Sequence, residues 1–193
     1  MTGLELLCAE LRSGDDQRAE AAATRLPEYG VQGLEALRRL LNDQDPDVRW
    51  WVIRALAGFD DQQAALPELL AALGDASAEV RQAAALVFCH HPQPLALNEL
   101  AQVLADPDAM VARLASSALV RLGKDATGVL LEVLKDGPRP AKLEAARALA
   151  EIRDPRAIPG LMKALETDSA LMQYWAGIGL DQMGAGMVYL RPE

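Results

Sequence analysis

VRWWVIRAL, residues 48–56, is the stretch from which the rest of the chain can be read. Its valines, alanine and leucine fall at helical spacing, and its pattern returns as VRQAAALVF (80–88), VARLASSAL (111–119), AKLEAARAL (141–149) and MQYWAGIGL (172–180). These blocks start 32, 31, 30 and 31 residues apart, and RAEAAATRL (18–26) fits one unit upstream at a spacing of 30. Self-similarity at a fixed period of this length marks an array in which each unit buries its apolar face on the next.

The segments between these blocks repeat as well. GLEALRRLL (33–41), ALPELLAAL (65–73) and AIPGLMKAL (157–165) match one another. Leu37, Leu69, Leu100, Leu130 and Leu161 occupy one equivalent position, and Leu41, Leu73, Leu104, Leu134 and Leu165 another. Leucines four apart in each unit form an apolar stripe at helical spacing. NDQDPD (42–47), GDASAE (74–79), ADPDAM (105–110) and KDGPRP (135–140) supply Asp and Ser to cap an incoming helix and Pro for its first turn. Each unit therefore reads as helix A, a short turn and helix B. The prediction is an all-α, right-handed α-solenoid of six helix pairs in one domain. The repeats run over about 1–29, 30–60, 61–91, 92–123, 124–153 and 154–184, with a capping tail over 185–193.

Composition narrows the partners. Nineteen Lys+Arg against 28 Asp+Glu give a net charge of −9, and no basic run occurs, which argues against nucleic acid. Cys8 and Cys89 are too few for a disulfide framework. The N-terminus has no basic, then apolar, leader pattern. No apolar run approaches the roughly 18 residues of a membrane span. The expectation is a cytoplasmic monomer that meets proteins or small ligands and holds no cofactor.

Asp-Pro-Asp-x-Val-Arg followed by an Ala/Leu-rich helix, at ~31 residues per unit, resembles short HEAT repeats, and more narrowly the HEAT-like repeats named for phycobilisome bilin lyases. Val48-Arg49 and Val80-Arg81 carry the pattern most fully, while Ala112, Lys142 and Gln173 replace that arginine in the later units. Arg49 and Arg81 border the buried arc. They are expected to bond loop acids such as Asp45 or Asp75, or their equivalents in the adjoining unit, in a ladder that fixes repeat registry.

Advancing about 100° per residue gathers Val48, Val52, Ala55, Leu56 and Phe59 into one arc, with Ile53 and Arg49 at its edge. Trp50, Trp51, Arg54 and Gly58 fall on the other side. The resemblance implies that B helices line a concave groove, so this second arc would face it. Carried through the repeats, the face comprises Gln17, Glu20 and Thr24, then Asp47, Trp50, Trp51 and Arg54, then Glu79, Gln82, Leu86 and His90. It continues with Met110, Arg113, Leu114, Ser117 and Arg121, then Leu143, Glu144 and Arg147, and finally Leu171, Tyr174, Trp175, Ile178 and Gln182. Aromatics and arginine dominate binding hot spots. Two occupants remain open for this arc, a partner or the neighbouring units. Trp50 and Trp51 favour the first, and Tyr174 and Trp175, in the terminal unit, favour packing.

FCHHP (88–92) is the sole Cys/His cluster, and its adjacent residues diverge around a helix end, so it reads as a helix terminus and no metal is expected. No nucleophile elbow, P-loop or dinucleotide fingerprint occurs, and the glycine-rich GIGLDQMGAGM (177–187) reads as a helix end. The leading expectation is a non-enzymatic adaptor or scaffold that holds a protein or peptide in its groove. The resemblance also admits a bilin lyase-like protein, in which Trp50, Trp51, Arg54 and Arg113 would stack on a tetrapyrrole and pair with its propionates. A HEAT-like DNA glycosylase is the remote third, and the acidic balance disfavours it.

Overall fold

The helices begin where the sequence offers an oxygen to cap them. In the computed structural model, which describes residues 2–167 and 169–185, Thr2 and Glu5 exchange bonds in a capping box at the start of α1 (Gly3–Leu11). Asp15 accepts from Gln17 N and Arg18 N to open α2 (Asp16–Arg25). α3 (Gly30–Leu40) instead follows a 3₁₀ turn over Leu26–Tyr29. Asp45 caps α4 (Pro46–Leu56) with Pro46 in the first turn, and Asp61 caps α5 (Gln62–Ala72). These oxygens satisfy backbone N–H groups that the helix leaves without partners, each worth about 1 kcal/mol.

Further along come α6 (Ala78–His90), α7 (Leu97–Val103), α8 (Ala109–Leu122), capped by Asp108, and α9 (Thr127–Asp136). The last three helices are α10 (Arg139–Ile152), α11 (Ile158–Leu165) and α12 (Ala170–Gln182), which Ser169 caps. Odd-numbered helices are the A helices and even-numbered ones the B helices. Among the described residues there is no strand. Short 3₁₀ turns over Pro94–Ala96, Gly123–Ala126 and Pro155–Ala157 lead into α7, α9 and α11. Most of the capping tail, 186–193, lies outside the described residues.

The chain divides into two compact units, Met1–Val87 and Phe88–Glu193, with the division inside α6. In the first, α2 packs on α1 and α4, and α4 also meets α3 and α5. In the second, α10 packs on α8, α9 and α12, while α9 meets α7 and α11. The leucine ladder is the spine of both: Leu37, Leu69, Leu100, Leu130 and Leu161 are all fully buried or nearly so. Burying each such side chain contributes roughly 1.5–3 kcal/mol. The inward arc of α4 behaves the same way, with Val48, Val52, Ala55, Leu56 and Phe59 all buried.

Small residues set how closely the B helices approach. A Cβ on Gly179 of α12 would lie 3.1 Å from Ala150 Cα of α10 and 2.8 Å from Leu161 Cδ1. The contact with backbone cannot swing aside. Gly179→Ala is expected to lower stability by about 1–2 kcal/mol through overpacking, measured by urea unfolding, and an unchanged midpoint would contradict this close approach.

Candidate binding face

The turns between A and B helices hold the repeat in place before any partner is considered. Arg49 Nη1 donates to the carbonyls of Asp43 at 2.8 Å and Gln44 at 3.2 Å, six and five residues back. Arg81 Nη1 makes the same two bonds, to Asp75 O at 2.8 Å and Ala76 O at 3.2 Å. Arg49 then reaches the following turn, where Nε and Nη2 grip both oxygens of Asp75 at 2.8 and 2.7 Å. Asp75 is thus the acid used, and Asp45 instead caps its own helix. Arg12 Nε reaches the equivalent acid one turn earlier, Asp43 Oδ2, at 2.7 Å. In the last unit Gln173 Nε2 keeps the bond six residues back, to Thr167 O at 2.7 Å. The amide conserves the hydrogen-bond geometry although the charge is gone.

Trp50 and Trp51 are both half-buried on α4. Their rings meet edge to face, with centroids 4.8 Å apart and planes at 90°, a favoured aromatic geometry. The guanidinium of exposed Arg54 stands 5.9 Å from the Trp50 ring centroid, within cation–π range. Tyr174 and Trp175 occupy the equivalent positions of α12 and repeat the arrangement, with centroids 5.2 Å apart and planes at 75°.

The remaining residues of the arc separate into exposed and engaged groups. Met110 and Tyr174 are 55% and 57% exposed, Leu86 is exposed, and so are His90, Arg113, Arg121 and Leu171. Gln82, Leu114, Leu143, Ile178 and Ser117 are half-buried, and the Ser117 hydroxyl donates back to Arg113 O at 3.0 Å. Of the seven large apolar side chains exposed among the described residues, four (Leu86, Met110, Leu171 and Tyr174) belong to this arc. In the first repeat, Gln17, Glu20 and Thr24 of α2 are exposed and polar.

Arg147 departs from the expected surface role, being only 7% exposed. Its Nε donates to Glu144 at 3.0 Å and its Nη1 to Glu151 at 2.6 Å. Glu144 also accepts from Arg113 Nε at 3.3 Å. The chain Arg113–Glu144–Arg147–Glu151 therefore ties α8 to α10. The cause is that α10 has neighbours on both sides and carries alanines at 145, 146 and 148, so the arc around Arg147 is narrow.

Sequence periodicity did not reveal a second polar cluster. Asp154 is buried and accepts from Thr127 Oγ1 at 2.9 Å and Arg156 Nε at 2.8 Å. The Arg156 bonds hold its carboxyl far below the usual carboxylate range, so it stays charged and braces the turn before α11. At FCHHP, Cys89 is half-buried and its thiol donates to Leu114 O at 3.3 Å, while His90 and His91 are exposed. Burial pushes the thiol up from its ordinary value, and Arg121 opposes this. No group of three or more His, Cys, Asp and Glu side chains among the described residues could hold a metal ion. No helix there is long and apolar enough to cross a membrane.

The family description "HEAT repeats" matches residues 4–89, 66–140 and 127–186. Among solved structures, an engineered protein is similar at 25% identity over 96% of this chain and 100% of its own, with a TM-score of 0.55. The complex of CpcE and CpcF of phycocyanin lyase from Nostoc sp. PCC7120 is similar at 23% identity over 95% of this chain and 78% of the other, TM-score 0.54. A designed armadillo repeat protein in complex with the peptide (KR)4 is similar at 20% identity over 94% and 100%, TM-score 0.52. No curated protein matches the chain. With the helix pairs above, these likenesses make the fold an all-α solenoid.

Proposed function

Since the chain belongs to the HEAT-repeat family, we propose that it is a non-enzymatic adaptor that binds a protein or peptide through the outward arc of its B helices, acting as a cytoplasmic monomer. The observation that carries this is that each compact unit leaves apolar side chains of that arc open: Leu86 in the first, where Trp50 and Trp51 meet edge to face, and Met110, Leu171 and Tyr174 in the second, where Tyr174 meets Trp175. Large apolar side chains left open at that arc's repeat positions, four of the seven exposed among the described residues, are the kind of surface a partner covers. Arg54 and Arg121 supply exposed charge there with no ion pair among the described residues. A protein of similar fold, the designed armadillo repeat protein, was solved holding the peptide (KR)4, and that use of the fold is what we carry over. Arg113 and Arg147 act in this reading through Glu144, holding α8 and α10 rather than contacting the partner with full freedom.

The test is a pull-down with the wild type and with the triple variant Trp50→Ala, Trp51→Ala, Arg54→Ala, each captured partner then being purified and titrated by calorimetry. Removing interfacial aromatics is expected to weaken a true partner at least tenfold, about 1.4 kcal/mol, with the melting temperature unchanged. Equal affinity for every partner, or a variant that melts several degrees lower, would make the tryptophans packing residues. The same titration with a linear tetrapyrrole, followed by visible absorbance, decides against the adaptor if a stable coloured complex forms.

A further inference from the structure

Lysine is rare in this chain. Of its 19 basic residues only four are lysines, at 124, 135, 142 and 163, and the other 15 are arginines. Three of those four line a single pocket of about 500 Å³ in the second compact unit. Lys135 comes from the end of α9, Lys142 from α10 and Lys163 from α11. The floor between them is apolar, formed by Leu131, Leu134, Ala164 and Met172. Gly160 lies in the same lining, and a Cβ there would come within 2.5 Å of Leu131 Cδ2, so the missing side chain lets Leu131 pack against α11 and complete the apolar floor.

The charges here are not spent internally as those of many arginines are. Arg12, Arg38, Arg49, Arg113, Arg147 and Arg156 all close ion pairs with carboxylates. Lys142 and Lys163 form no ion pair among the described residues, and Lys135 has only its exposed neighbour Asp136 at 3.4 Å. Glu166 is the one acid in the lining. Three lysines against that acid leave the pocket positive, on a protein whose net charge is −9. A second depression shares Lys142, Thr167 and Met172 with it and adds Arg139 at its rim.

A cavity of this size is in the range that holds small molecules. Lysine ammoniums are compact point charges suited to a phosphate or carboxylate. We propose that this pocket binds a small organic anion, its apolar body on Leu131, Leu134 and Met172 and its phosphate or carboxylate head among Lys135, Lys142 and Lys163. None of the pocket's own lining residues belongs to the B-helix arc proposed above. Charge complementarity selects the occupant: a neutral apolar molecule would gain nothing from the three ammoniums, and a bare inorganic anion would gain nothing from the apolar floor.

Octyl phosphate, octanoate, octanol and inorganic phosphate serve as probes, followed by ¹H–¹⁵N amide shifts of the full chain. Octyl phosphate or octanoate is expected to shift Leu134, Gly160 and Met172 saturably, at least tenfold more tightly than octanol or phosphate alone. Preference between the two anionic probes identifies the head. Lys142→Met with Lys163→Met is expected to weaken that binding at least tenfold with no change in melting temperature, while Trp50→Ala leaves it intact. Octanol binding as tightly as the anions, shifts spread over the surface without saturation, or a double variant that binds like wild type would each overturn the assignment. If the double variant melts lower, Lys142→Arg with Lys163→Arg keeps the charge and is expected to retain binding; its failure to do so also overturns it.

Discussion

Leu130→Ala is expected to lower the unfolding free energy by about 3–4 kcal/mol, within the range for leucine truncation in a rigid core. Leu130 is fully buried on α9, the A helix whose neighbours are α7, α10 and α11. Its removal takes away apolar burial and leaves a cavity that flanking helices cannot close without moving together. In a repeat protein each unit is stabilised mainly by its neighbours, so damage at an internal leucine weakens two interfaces at once. Urea unfolding followed by circular dichroism measures the loss. Leu95→Ala, at a position 70% exposed, is the control and is expected to stay within about 0.5 kcal/mol of wild type. A loss below about 1 kcal/mol for Leu130→Ala would show that the ladder is not the spine of the fold. A lower slope against urea with the same midpoint would instead mean that the array no longer unfolds as one cooperative unit.

The ladder was legible because leucine burial obeys a spacing that survives substitution elsewhere in the repeat. The inward arc of α4 follows the same rule, although Ile53, placed at the arc's edge by the helical wheel, is fully buried. A wheel treats one helix at a time, whereas α4 has neighbours on several sides. That also explains why the tryptophans are half-buried rather than simply outward, and why Arg147 lies inside. The registry bonds were visible only where arginine marked them. Gln173 performs the same carbonyl contact with a different residue type, and no pattern of charge could have disclosed it. The lysine pocket was missed for a related reason. Its residues come from four helices and two repeats, so neither period nor motif joins them. The available signal was composition: three of four lysines fall within positions 135–163.

Asp75→Asn is expected to cost about 2–3 kcal/mol near neutral pH and progressively less in acid. Asp75 accepts two bonds from Arg49 and one from Ser77 N at 2.8 Å. Both side chains of the pair are largely shielded, at 15% and 13% exposure. Breaking a buried pair costs 3–5 kcal/mol and an exposed one at most about 1, so a shielded but not fully buried pair falls between. The Arg49 bonds are the largest cause holding the Asp75 carboxyl below its ordinary value; Ser77 and nearby Arg81 act in the same direction, and burial opposes them. A carboxyl depressed in the folded state contributes stability that is complete above its unfolded value, about 3.9, and disappears as pH falls through the folded value. The difference between wild type and Asp75→Asn is therefore expected to be constant from pH 7 to about 5 and to narrow below about 4. Arg49→Met is expected to show the same narrowing, because it removes the other half of the pair. A difference that stays constant down to pH 2.5 would mean that the pair sets geometry without contributing charge-dependent stability. The arginine would then act through its carbonyl bonds to Asp43 and Gln44, the interaction Gln173 retains without a charge.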